Sequence, residues 1–149
     1  MSEISDYQNL LNKLLSSQNL AVLATHYNEQ PYSNLIAFAT TSDFKQIIFV
    51  TNRNTQKYKN IRANNKVAIL VDSRTSKASD FSDASALTAI GIARETIGEE
   101  KKHLSNIYLN KHPFLDNFMN EPGSTLISIA VSDYIIAGFK NARRIIVGD

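Results

Sequence analysis

The sequence predicts a mainly β fold with helices (α+β): a barrel of six to seven strands, with a helix at its N-terminal end and further helices inserted between strands. Three observations lead there. Short apolar runs rich in β-branched and aromatic residues recur at close spacing. Helical stripes lie before the first run and between later ones, and no G-x-G-x-x-G follows the first strand as a doubly wound dinucleotide fold would require.

Each element has its own signal. Ile4, Tyr7, Leu10, Leu11, Leu14 and Leu15 recur at steps of three and four, the stripe of an amphipathic helix; Ser5 with Gln8, or Ser2, could cap it. Residues 20–25 form a compact apolar run, and a polar turn at 27–30 leads to Pro31 at the start of a second strand over 32–39, so a hairpin is expected. A second turn at 42–45 precedes a third strand, 46–51, whose Ile47, Ile48, Phe49 and Val50 suit a buried pleated surface.

Beyond the loop 52–54, Thr55 is placed to cap a helix carrying Tyr58, Ile61 and Arg62 and ending near Asn64 and Asn65. Residues 67–71 give a fourth strand. Residues 73–85, rich in Ser, Asp and Ala, read as a mobile loop over or beside a site. A fifth strand over 86–97 contains Gly91, where a bulge or a close backbone approach is expected. Helical spacing returns over 99–110, and His112-Pro113-Phe114 opens another short helix. After the break at 121–123, residues 124–137 form a sixth strand with Ile127, Ile129 and Val131 on one face, and residues 143–147 a seventh after a turn at 138–141.

Composition narrows the function. With 149 residues and 43% hydrophobic content, the chain can build one core, so a single domain over 1–149 is expected. Sixteen basic and fourteen acidic residues leave a net charge of +2, too weak a field to favour nucleic acid or an anionic membrane. The absence of cysteine removes disulfides, thiolate catalysis and Cys-ligated metals. The first twelve residues lack the basic and apolar regions of a signal peptide, and no apolar run approaches the roughly 20 residues of a membrane span, so a cytoplasmic location is expected.

His26, His103 and His112 form no ligand-spaced pair, so no metal site is expected; His112 reads as a cap or surface residue, with haem ligation by it or by His103 left open. No G-x-S-x-G supports hydrolase chemistry. Asp80, Asp83, Glu95, Glu99 and Glu100 read as solvated or dipole-facing carboxylates, and Tyr32 and Tyr58 as packing aromatics.

One segment has the character of a site. In "FVTNRNTQKY" a buried strand ends in a polar loop that feeds a helix N-terminus, where free N–H groups, a capping hydroxyl and the Lys57 cation meet the needs of a phosphate. The same residues also allow a plain cap and a solvated lysine.

The runs "LAVLAT", "QPYSNLIAFA", "IIFVTNRNTQKYKNI" and "NNKVAILV" resemble the flavin-binding split β-barrels of the pyridoxamine 5′-phosphate oxidase family. The resemblance implies that FMN lies along Asn34, Leu35, Ile36 and Ala37, with Val50 and Thr51 near the ring and Thr55, Gln56 and Lys57 at the phosphate. It departs from the oxidase itself in several places. Gln56 stands in place of an Arg, Asn34 in place of an Arg and Ala39 in place of a Lys, while tryptophan and the Arg-x-x-Arg-Leu-x-P ending are absent. True oxidase activity is therefore not expected.

The C-terminal third is similar to the broader oxidase-related flavoproteins, and "AGFKNARRI" resembles a Gly-Phe-x-x-Ala segment of split-barrel haem-utilisation proteins. The resemblance implies a homodimer with flavin at the interface, and Phe139, Lys140 and Arg143 as contacts from the partner. The expected function is an FMN-dependent oxidoreductase acting on a small molecule, since a flavin carries the redox chemistry without a dedicated acid or base. Non-catalytic flavin or haem binding, haem degradation and a purely structural dimer are the alternatives.

Overall fold

The computed structural model describes residues 2–138 and 142–147, so the turn expected at 138–141 lies largely outside the described residues. Helix α1 (Ser2–Ser17) is followed by strands β1 (Leu20–Tyr27), β2 (Gln30–Thr40) and β3 (Gln46–Asn52), helix α2 (Gln56–Ala63) and strand β4 (Lys66–Asp72). Next come helix α3 (Asp80–Asp83), β5 (Ala86–Glu95), α4 (Gly98–Lys111), a single 3₁₀ turn (Pro113–Leu115), α5 (Asp116–Met119), β6 (Ser124–Ala137) and β7 (Ala142–Ile146).

The strands run β3-β2-β1-β4-β5-β6-β7, and a further pairing of β3 with β6 closes the first six into an antiparallel barrel. β6 is long enough to serve two partners along one edge: its first half pairs with β3 and its second half with β7. The first hairpin turns on Asn28 and Glu29, both at positive φ, as two-residue turns that match strand twist require. Pro31 is the second residue of β2 rather than the first, on a stretch where β2 pairs with β1 alone.

Two cores result. Leu23, Phe38, Phe49, Ile69, Leu87, Ile127 and Ile129 fill the barrel; Leu11, Leu14 and Leu15 of α1 and Tyr58 and Ile61 of α2 join the same cluster. The other core lies outside the wall, where Ala39, Ile48, Val50 and Leu126 meet Leu104 and Tyr108 of α4. β3 is therefore buried on both faces, which accounts for its unbroken apolar run. Lys111 Nζ fixes the end of α4 to the end of α1, donating to the carbonyls of Leu15 at 3.1 Å and Gln18 at 2.7 Å.

Gly91 marks a register shift between β5 and β6, and a Cβ there would stand 2.4 Å from the Ala130 carbonyl oxygen, so both the expected bulge and the close approach are present.

Two expectations need correction. Residues 73–85 are tied down rather than loose: Ser73 N–H donates to Ser85 O at 3.0 Å, and the Asp80 carboxylate accepts from the backbone N–H groups of Thr75 and Ser76. The sequence signal was polarity, and the polar side chains here bond the loop's own backbone. His112 caps α4 as expected but is not at the surface; it is 1% exposed, and its Nε2 donates to Phe38 O at 2.7 Å.

Candidate functional site

A cleft of about 230 Å³ lies on the outer wall of the barrel, where β2, β3, the N-terminus of α2, α4 and α5 converge. Leu35, Ile36 and Ala37 supply one side, Val50, Thr51 and Asn52 the floor, Thr55 and Lys57 one end, and Tyr108, Leu115 and Phe118 the other wall. The hairpin and the closure of β3 on β6 bring the end of β3 beside β2, and the second core presses Tyr108 against both.

The loop from β3 to α2 is held by side-chain bonds. Asn52 Oδ1 accepts the Asn54 N–H at 2.9 Å, and Asn52 Nδ2 donates to Pro122 O at 3.4 Å. Gly123, at φ +87°, permits that approach, because a Cβ there would lie 3.1 Å from Asn52 Nδ2. Thr55 sits in extended conformation as the N-cap of α2, its Oγ1 accepting from Tyr58 N–H at 3.4 Å and donating to Asn52 O at 2.8 Å. The Thr51 hydroxyl meets the Thr55 hydroxyl at 2.9 Å and reaches the same Asn52 carbonyl at 3.4 Å, so both hydroxyls are bonded within the loop.

This arrangement changes how the helix end would meet an anion. The hydroxyl of Thr55 is committed inward, and the N–H groups of Gln56 and Lys57 have no partner among the described residues, as the first turn of a helix dictates. Lys57 is half-buried, and burial pushes its pKa below the ordinary lysine value. No carboxylate pairs with it among the described residues. A partly desolvated cation beside free N–H donors makes surroundings in which a negative charge is favoured.

The opposite wall is aromatic and apolar. Tyr108 is buried, its hydroxyl donates to Ala37 O at 3.1 Å, and burial pushes its pKa up to about 12, so it stays a neutral donor. Leu35 stands at the mouth with 65% of its surface exposed.

Of the residues expected to bind the cofactor, Leu35, Ile36, Ala37, Val50, Thr51, Thr55 and Lys57 line this one cleft. Asn34 does not; its Nδ2 donates to Leu35 O at 3.3 Å, and its Oδ1 is buried without a partner. Gln56 turns to the other side of α2, where its Nε2 donates to Asn60 Oδ1 at 2.7 Å. Arg143 stacks over Tyr7 of α1, 4.9 Å from the ring centroid, and Phe139 and Lys140 lie outside the described residues. Asn52, Tyr108, Leu115 and Phe118 were not anticipated. Among the described residues no group of His, Asp or Glu is placed to hold a metal ion, and no helix is long and apolar enough to cross a membrane.

Residues 8–134 match the family model described as pyridoxamine 5′-phosphate oxidase, a span that includes the whole closed barrel apart from the last residues of β6. The chain belongs to the pyridoxamine 5′-phosphate oxidase family. Comparison with curated proteins gives no match. Among solved structures, a heme binding protein from Mycobacterium smegmatis is 12% identical with a TM-score of 0.80; the match covers 91% of this chain, which spans only 55% of that protein. A FAD-binding protein from Mesorhizobium loti is 16% identical with a TM-score of 0.69, covering 87% of this chain and 90% of its own. General Stress Protein 26 from Bacillus anthracis is 20% identical with a TM-score of 0.67, covering 93% of this chain and 98% of its own. At these identities the likeness is one of fold, and the family's split barrel is the architecture they share.

Proposed function

We propose that the chain is a single-domain, FMN-binding member of the pyridoxamine 5′-phosphate oxidase family, a flavin-dependent oxidoreductase acting on a small molecule as a homodimer. The half-buried, unpaired Lys57 beside the free N–H groups of α2 carries the reading: it asks for a phosphate at that end of the cleft. Val50, Leu115 and Phe118 offer the apolar surface that a planar ring system needs. A bound flavin would supply the electron transfer; the chain would supply binding and orientation.

The dimer follows from what the cleft lacks. Its volume of about 230 Å³ is below the roughly 300–1,000 Å³ of a ligand pocket, and exposed Leu35 marks the open side. A second copy covering Leu35 would complete the enclosure, with Phe139, Lys140 and Arg143 the proposed contacts to the partner's flavin. Flavin is favoured over haem because no histidine lines the cleft: His112 is occupied by Phe38 O, while His26 and His103 lie elsewhere. The FAD-binding relative supports the flavin reading by analogy, and the heme binding relative keeps haem as the comparison ligand.

Fluorescence titration with FMN tests it. Wild-type protein should quench and retain flavin, and Lys57→Ala should weaken binding by roughly tenfold to a hundredfold, the value of a charge-assisted phosphate contact. No binding of FMN by the wild-type protein, or an unchanged affinity in the variant, would remove the assignment.

A further inference from the structure

A second cleft, of about 570 Å³, lies on the other side of α2 and has no part in the site above; Tyr27, Arg53, Gln56, Tyr58, Lys59 and Arg62 line it. Three cations face this space, and no carboxylate lines it. Glu95, the acid bonded to two of these residues, is held by Arg53 at 2.6 Å and by the Tyr58 hydroxyl at 2.7 Å. Arg62 rests on Tyr58, its Nη1 donating to the Tyr58 Oη at 3.3 Å, so the guanidinium is steadied while most of its donors stay open. The Lys59 ammonium is exposed and has no partner among the described residues.

Counting Glu95 against Arg53, Lys59 and Arg62 leaves two positive charges, the complement of a phosphate dianion. Tyr27, 49% exposed at the edge, offers an aromatic face to a base. Both clefts draw on the segment that opens α2: Arg53 and Gln56 line this one, and Asn52, Thr55 and Lys57 the first.

We infer that this cleft binds the adenosine phosphate half of a dinucleotide, with its phosphate on Lys59 and Arg62 and its base against Tyr27. The inference builds on the flavin reading of the neighbouring site. Two sources share the chemistry: the adenylate half of FAD, bound across both clefts, or a nicotinamide dinucleotide that approaches FMN-loaded protein as electron donor.

ADP is the probe, titrated by calorimetry into purified protein, with adenosine as the control lacking phosphate. ADP should bind, adenosine should bind at least tenfold more weakly, and Lys59→Glu or Arg62→Ala should weaken ADP at least tenfold while FMN affinity stays within about twofold. Lys59→Glu alters only an exposed side chain without partners, so it keeps the test valid should Arg62→Ala disturb Tyr58. FAD binding at least tenfold tighter than FMN, displaced by ADP, assigns the cleft to the flavin dinucleotide. Equal FAD and FMN affinities, with NADH or NADPH binding to FMN-loaded protein in competition with ADP, assign it to the donor. Protein that binds FMN but not ADP, or whose ADP affinity ignores both variants, overturns the inference and leaves the flavin site standing. Protein that binds ADP in a Lys59-dependent way but not FMN supports this cleft and removes the flavin reading instead.

Discussion

The hydroxyl of Tyr108 donates to the carbonyl of Ala37 at 3.1 Å, tying α4 to the strand that forms one side of the cleft. The two residues are far apart in the chain, and the bond fixes the cleft's width at the place where a ring system would lie. Tyr108→Phe keeps the packing and removes the donor, so stability should fall by about 0.5–1.5 kcal/mol. Urea denaturation should show a lower midpoint at unchanged slope. A midpoint equal to wild type would mean that packing alone holds α4 in place.

Thr55 gives a prediction of a different kind. Its hydroxyl caps α2, bonds Asn52 O and meets the Thr51 hydroxyl, so three neighbours depend on one oxygen. Thr55→Ala should cost about 0.5–2 kcal/mol, and Thr55→Ser should restore most of it, because serine keeps the oxygen. FMN affinity in Thr55→Ser should match wild type, since serine keeps the hydroxyl and its bonds within the loop. A large loss of affinity in that variant would mean that the threonine methyl group shapes this end of the cleft.

The local half of this site was legible in the sequence, and the distant half was not. A buried strand, a polar loop, a capping threonine and an early lysine stand within one short segment, and strand and helix rules place them together. Resemblance then brought in Leu35, Ile36 and Ala37. Tyr108, Leu115 and Phe118 arrive from elements beyond β5; Tyr108 falls within helical spacing, and Leu115 and Phe118 carry no signal of their own in the sequence. What brings them to the cleft is the packing of α4 on the outer face of β3, a tertiary choice without a local signature. Gln56 failed for a simpler reason: neighbouring residues at the start of a helix point about 100° apart, so Gln56 and Lys57 serve opposite sides of α2. His112 looked solvent-facing because it is polar and precedes proline, and its burial is made possible by a backbone acceptor the sequence does not reveal.

Gly91 was legible, and it supports a strong expectation. A Cβ at this position would sit 2.4 Å from Ala130 O and 2.8 Å from the Ile129 side chain, and the first of these is backbone that moves only with the whole of β6. Gly91→Ala should destabilise the barrel by about 1–3 kcal/mol or more, in the range of overpacked cores. Thermal unfolding checks it. A melting temperature equal to wild type would show that β5 and β6 part more freely than their register implies.

The last prediction concerns acid. Glu95, at the end of β5, receives the Arg53 guanidinium at 2.6 Å and the Tyr58 hydroxyl at 2.7 Å, closing the loop and α2 onto the barrel. Burial works to raise its pKa, but the bonds from Tyr58 and Arg53 outweigh it and hold the carboxyl at about 2, below its ordinary 4.5. The folded protein therefore keeps Glu95 ionised where the unfolded chain would already take up a proton. The stabilisation is complete above pH 4.5, declines as pH falls toward 2 and is lost below it. Glu95→Gln should consequently be less stable than wild type at about pH 6, with the gap narrowing at about pH 3 as the wild-type protein loses its advantage. Guanidinium denaturation of both proteins at the two pH values measures that gap. A gap that stays constant would mean that Glu95 contributes through shape and neutral hydrogen bonds, with its charge playing no part.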